Sequence, residues 1–220
     1  MIRKKLSKNL ARNIKVYALL SLGFICSPGL AGDDGMQFNT LSASTQLESG
    51  HTLIGAVGTI QEEFQGKISY IGVAKKADFG AVWQAGYFGY YAKQGGDTGI
   101  QEDHRIRGNL TFTRKVDGWV LKHRSRVEFR MGELSGGFRY RPAFTAMHPL
   151  KIHGETLIPY AEIEPFYDFK DDHLTLALLS AGVKWIPHKN VIISAGYMDI
   201  YLNKVNTHTK GPVVGIHFKL

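Results

Sequence analysis

The stretch Leu121–Met131 (LKHRSRVEFRM) places Lys122, Arg124, Arg126, Glu128 and Arg130 at alternate positions. Arginine doublets recur at Arg105/Arg107 and Arg139/Arg141, and an acidic pair stands at Glu162/Glu164. Guanidinium groups at this density suit three tasks: binding a polyanion, selecting small anions, or pairing with carboxylates. The same stretch holds His123 and Ser125, an imidazole two residues from a hydroxyl, the pair that base-activated acyl transfer requires. The choice depends on the element that carries these residues.

A helix over 121–131 would allow an Arg124–Glu128 contact at i,i+4, yet Leu121, Val127, Phe129 and Met131 would not gather on one face. As a strand, all four face one way and the charges the other, because successive side chains alternate. The same alternation recurs in Arg105–Arg114, Gly137–Arg141, Ile158–Asp168, Leu179–Trp185, Val191–Met198 and the C-terminal Val214–Leu220. Val116-Asp117-Gly118 is a hairpin signal, Pro187–Asn190 a short turn, and Gly95–Gly99 and Asn203–Gly211 read as longer loops. Eleven runs result, near 37–47, 51–63, 67–75, 81–93, 103–115, 118–131, 136–146, 155–168, 173–186, 190–202 and 212–220. Single-chain bacterial barrels have even strand numbers, so the expectation is ten to twelve strands, with the facing of the first three ambiguous.

Charge is unevenly placed. The net charge is +8, but residues 1–31 contribute Arg3, Lys4, Lys5, Lys8, Arg12 and Lys15 and no acid; the remainder is near balance at +2. A general nucleic-acid-binding role is therefore not expected. The basic region, the apolar run Val16–Cys26 and the small residues Gly29 and Ala31 predict a signal peptide over 1–31, cleaved near Ala31. That run is too short for a spanning helix. The only cysteine, Cys26, falls inside this segment, so residues 32–220 form a domain without disulfide, thiolate metal site or thiol nucleophile.

Export and alternation together predict an all-β, antiparallel, transmembrane up-and-down barrel in the outer membrane of a Gram-negative bacterium. A closed ladder satisfies every backbone group in lipid. Arg or Lys facing lipid near the midplane costs about 2–4 kcal/mol, so the charged parity is expected to face the lumen. Trp119 and Trp185 flank short turns, where an interfacial girdle needs them. The C-terminal strand is apolar at alternate positions into Leu220, as in strands read by the barrel-assembly machinery.

The ordered motifs His104-Arg-Ile-Arg107, His123-Arg-Ser-Arg-Val-Glu-Phe-Arg130 and Phe138-Arg-Tyr-Arg-Pro142 resemble an uncharacterised bacterial family of predicted small outer-membrane barrels, domain of unknown function 2490. Tyr160-Ala-Glu-Ile-Glu164 and the hairpin from Ala181–Trp185 to Ile193–Tyr197 are similar to its acidic strand and penultimate hairpin. The resemblance covers roughly residues 80–220 and implies location and architecture, with no assigned activity.

Three functional readings follow. In the first, Arg105, Arg107, Arg124, Arg126, Glu128, Arg130, Arg139, Arg141, Glu162 and Glu164 form a salt-bridge ladder that fills the lumen, with Glu128 as one rung partnered by Arg139, Arg141, Glu162 and Glu164. In the second, the arginine excess selects small anionic solutes. In the third, His123 and Ser125 act as in outer-membrane lipid A deacylases, although the asparagine that follows the family's pair is missing here. Other expected partners are outer-membrane lipid and lipopolysaccharide. The nine histidines show no metal-ligand spacing, and no cofactor fingerprint is present. Trp83, Tyr87, Phe88, Tyr90 and Tyr91 fit lipid contact or lumen packing better than sugar stacking.

Overall fold

The computed structural model describes residues 36–61, 64–94, 100–132 and 136–220; the expected signal peptide and its cleavage site lie outside them. The strands are β1 (Gln37–Gln46), β2 (Thr52–Gln61), β3 (Phe64–Lys76), β4 (Val82–Gln94), β5 (Ile100–Val116) and β6 (Trp119–Gly132). They continue with β7 (Gly137–Met147), β8 (Leu150–Ile152), β9 (Glu155–Asp168), β10 (His173–His188), β11 (Val191–Leu202) and β12 (Thr207–Lys219). The three-residue β8 pairs only with the start of β9. The other eleven close into a barrel in which β7 pairs with β9 and β12 with β1.

Eleven lies within the ten to twelve expected and is odd, unlike the even numbers usual in single-chain bacterial barrels. With an odd number of up-and-down strands the first and last run the same way, so β1 and β12 pair in parallel, from Phe38 beside Val213 to Ser44 beside Lys219. Parallel pairing is slightly less stable per residue, and side chains reinforce this seam. The His217 ring lies between two serines of the neighbouring strand, 2.9 Å from Ser42 Oγ and 3.0 Å from Ser44 Oγ. The Gly- and Ser-rich N-terminal runs are therefore barrel strands, although β1 and β2, at 10 residues each, are the shortest of the eleven.

Two turn readings need correction. The expected loop Asn203–Gly211 shrinks to a 3-10 turn at Asn203–Val205 plus Asn206 in the left-handed region, because β12 already begins at Thr207. The turn at Pro187–Asn190 shrinks to Lys189 and Asn190, since β10 runs through His188; Pro187 lacks the donor that a regular ladder needs, and the β10–β11 register shifts there, between Trp185 and His188. At Asp117-Gly118 both residues have positive φ (49° and 80°), the backbone of a tight type I′ hairpin, as the sequence indicated.

Pairing also lapses between β7 and β9. Strands β7 and β9 pair at Tyr140–Tyr167 and again at Phe144–Ile163. The same register sets Pro142 opposite Pro165 in the unpaired interval, and proline offers no ladder donor. Glycines make room for a large interior side chain elsewhere. A Cβ added at Gly72 or Gly86 would meet the Tyr70 hydroxyl at 2.0 or 2.4 Å. The Tyr70 ring thus lies over two bare backbone positions, where its hydroxyl accepts a hydrogen bond from Gln84 Nε2 at 2.7 Å.

Alternation sorts the two faces. Apolar residues of one parity are exposed around the outside, Ile71 at 58% and Leu179 at 57% among them. The largest fully buried side chains are Glu128 and Asp103, at 0% and 1%. The expected strand-facing for β5–β7, β9 and β10 matches this division.

Replacing Gly86 with valine should displace the Tyr70 ring and break its bond to Gln84. Overpacking of this kind costs about 1–3 kcal/mol, read as a lower urea midpoint for unfolding. An unchanged midpoint would show that Tyr70 does not depend on these glycines.

Candidate functional site

Strands β5, β6, β7 and β9 lie side by side and project their charged parity into the interior. Glu128, at the centre, faces four guanidinium groups. Arg107 Nε is 2.6 Å from Oε1, Arg141 Nη1 donates to Oε1 at 2.9 Å, Arg105 Nη1 donates to Oε2 at 3.3 Å, and Arg126 Nη1 lies 3.9 Å away. Arg141 bridges onward, its Nη2 donating to Glu164 at 2.9 Å. Arg124 Nη2 donates to the other Glu164 oxygen at 2.9 Å and lies 3.6 Å from Glu162. Toward the start of β5 and the end of β6, Arg105 Nη2 donates to Asp103 at 2.5 Å, while Arg130 and Arg139 both donate to Asp168, at 2.5 and 2.9 Å. The ladder holds Arg105, Arg107, Arg124, Arg126, Arg130, Arg139 and Arg141 against Asp103, Glu128, Glu162, Glu164 and Asp168, seven cations to five anions, a local excess of +2.

Aromatic faces and neutral polar groups support the cations. The Arg107 guanidinium lies 3.4 Å from the Phe88 ring centroid and that of Arg141 3.7 Å from the Phe166 centroid, distances at which the ring quadrupole attracts a cation. Arg126 Nε donates to Asn109, Asn109 Nδ2 to Gln84, and Gln84 to Tyr70. The polar interior therefore runs from β9 to β3.

All ten ladder residues expected from the sequence are brought together. One pairing differs: Arg139 sits opposite Glu128 in the β6–β7 register, yet its side chain reaches Asp168, its partner across β7–β9. Asp103, Phe88 and Phe166 were missed as ladder partners. Strand parity alone could have found them, because each shares the inward parity of the arginines on its own or the adjacent strand.

Over residues 60–210 the sequence matches a family described as Protein of unknown function (DUF2490). The chain belongs to that family. The matched segment contains every member of the ladder. No curated protein and no solved structure matches.

In this DUF2490 barrel, His123 and Ser125 stand on the outer face of β6. Ser125 Oγ is hydrogen-bonded to Tyr140 Oη at 3.0 Å. His123 stacks on Phe144, with ring centroids 4.7 Å apart and planes 12° off parallel. The hydroxyl and imidazole thus have separate partners. The other large aromatics divide by parity: Trp83, Tyr87 and Tyr91 point outward, and Phe88 and Tyr90 inward. Trp119 and Trp185 stand with Trp83 on the outside near one rim, each against a residue in or next to a connection between strands. Trp119 contacts His148, Trp83 contacts His51, and Trp185 Nε1 donates to Glu155 at 2.5 Å.

Glu128→Gln should be among the most destabilising single changes in the barrel. It leaves Arg105, Arg107, Arg126 and Arg141 without their shared counter-ion, a loss of about 3–5 kcal/mol for a broken buried pair. Adding Arg107→Leu should recover part of that loss. Urea unfolding of the two single variants and the double would measure the coupling, and strict additivity would mean that the Arg107–Glu128 contact contributes nothing.

Proposed function

We propose that this chain is a non-enzymatic β-barrel of a Gram-negative outer membrane, exported and cleaved near Ala31, whose Arg/Glu ladder braces the interior. The observation that carries this reading is the inverted polarity: Ile71, Phe144, Ile163 and Leu179 are exposed while Glu128, Glu164 and Asp168 are buried. In water such a surface would be an exceptionally large apolar patch; in hydrocarbon it is the expected surface of a closed barrel. Outer-membrane lipid and lipopolysaccharide are then its surroundings, and the alternating C-terminal strand its handle for the barrel-assembly machinery. The arginines face inward, where a nucleic acid has no access, and the separate partners of Ser125 and His123 support a barrel without hydrolase chemistry.

A second reading has one observation in its favour. The ladder carries a +2 excess, and Lys122 and Lys184 share the inner face with it, Lys184 lying 5.0 Å from the Tyr160 ring centroid. An interior of that sign suits a small anion-selective pore.

The rim position of all three tryptophans permits a direct test. In phospholipid vesicles, a nitroxide near the head group should quench their fluorescence more strongly than one near the chain end. No quenching by either probe would overturn the membrane reading. In planar bilayers, anion-selective current that weakens in Arg124→Ala would establish the pore, and an absence of current would leave the bracing role alone.

A further inference from the structure

The wall facing the ladder has a different chemistry. Leu178 is the register partner of Glu164 on β9 and of Ile200 on β11, and so shares the inward face of that carboxylate. Met198 pairs with Ser180, itself opposite Glu162. Phe38 pairs with Ile60 across β1–β2 and with Val213 across the parallel seam. Ile68 pairs with Tyr90, which pairs with Asp103. Inward-facing Phe38, Ile60, Ile68, Leu178, Met198 and Ile200 are all half-buried, so solvent reaches part of each. The apolar wall therefore meets the charged wall at both edges, beside Glu164 and beside Asp103. Eleven tilted strands enclose a lumen about 20 Å across between backbones.

Two further observations concern the charged side. The ladder's contacts among the described residues leave its +2 excess in place. Among the described residues, the Nε donors of Arg124, Arg130, Arg139 and Arg141 are buried without a hydrogen-bond partner. Arg124 is the most accessible ladder arginine, its side chain 26% exposed. A binding site of this kind couples apolar burial with a few placed polar groups.

We propose that the barrel interior binds a single-chain amphipathic anion, with its alkyl chain along Leu178, Met198 and Ile200 and its carboxylate or phosphate head group at Arg124. The apolar wall accepts a chain, the ladder's +2 excess attracts a head group of opposite sign, and Lys122 and Lys184 on the same inner face add to that attraction. Binding forms no covalent bond. It requires the interior arrangement only, so its failure leaves the membrane reading untouched.

Photolabelling of the full chain in non-ionic detergent with a diazirine-bearing palmitic acid tests this. Labels mapped by mass spectrometry should fall on Leu178, Met198 and Ile200, and excess palmitate or hexadecyl phosphate should lower them at least fivefold. Stronger competition by one of the two assigns the head group. Methyl palmitate, which has the chain without the charge, should not compete. Arg124→Gln should lower labelling while heat-modifiable migration stays intact, and competition in the unaltered protein decides the matter if that variant fails to fold. Equal competition by methyl palmitate, or labels confined to the outward Leu179 and Tyr197, would overturn the proposal. So would capture of a peptide from residues 1–35 by a photoactivatable side chain at position 198 in the probe-free protein, which would assign the wall to this chain's own N-terminal segment.

Discussion

Glu128 has no exposed surface, and four guanidinium groups lie within 4 Å of its carboxylate. A charge removed from water needs partners close enough to replace its hydration, and one arginine would not suffice at such burial. Strand geometry supplies four. Arg126 is two residues away on the same strand, Arg105 and Arg107 come from β5, and Arg141 comes from β7. Each has a further partner, Arg105 in Asp103, Arg141 in Glu164, Arg126 in Asn109, and Arg107 in the face of Phe88. The inward parity of four strands is thereby tied together. A register slip of one residue in any of them would turn its charges outward and its apolar residues in.

The same cluster spans the weakest part of the sheet. Pro142 and Pro165 interrupt the ladder between β7 and β9, where backbone donors are missing. Arg141 precedes one proline and Glu164 the other, and their side chains meet at 2.9 Å across that interval while Arg141 also covers Phe166. Charge-assisted hydrogen bonds are roughly twice as strong as neutral ones, so side chains here hold strands that backbone pairing does not. The parallel β1–β12 seam is secured by a smaller version of the same device, His217 between Ser42 and Ser44.

Much of this was legible in the sequence because a strand has a period of two. The parity of LKHRSRVEFRM identified both the element and the side on which Arg124, Arg126, Glu128 and Arg130 lie, and ten ladder residues followed from it. All eleven long strands fall on expected runs, seven of which showed clear alternation, while the facing of the first three stayed ambiguous. Partner choice within the ladder was not legible. Arg139 is equally adjacent to Glu128 on one side and Asp168 on the other, and the preference for Asp168 depends on Glu128 being already surrounded. The parallel closure was hidden by the expectation of a wholly antiparallel barrel, and the paired prolines by their distance in sequence. Chain chemistry on the wall opposite the ladder emerged only once Leu178, Ile200 and Phe38 were placed on one inner surface.

The membrane reading rests on which parity meets lipid, and neighbouring residues can report it independently. In a Cys26→Ser background no other cysteine exists, so a nitroxide can be attached singly at Ile163→Cys or Leu179→Cys on the outside, or at Ser42→Cys or Ser180→Cys within. In reconstituted vesicles, labels at 163 and 179 should collide more often with dissolved oxygen than with a water-soluble nickel chelate, and labels at 42 and 180 should show the reverse. Preferential nickel collisions at 163 and 179 would contradict the proposed orientation, because the exposed apolar parity would then face water.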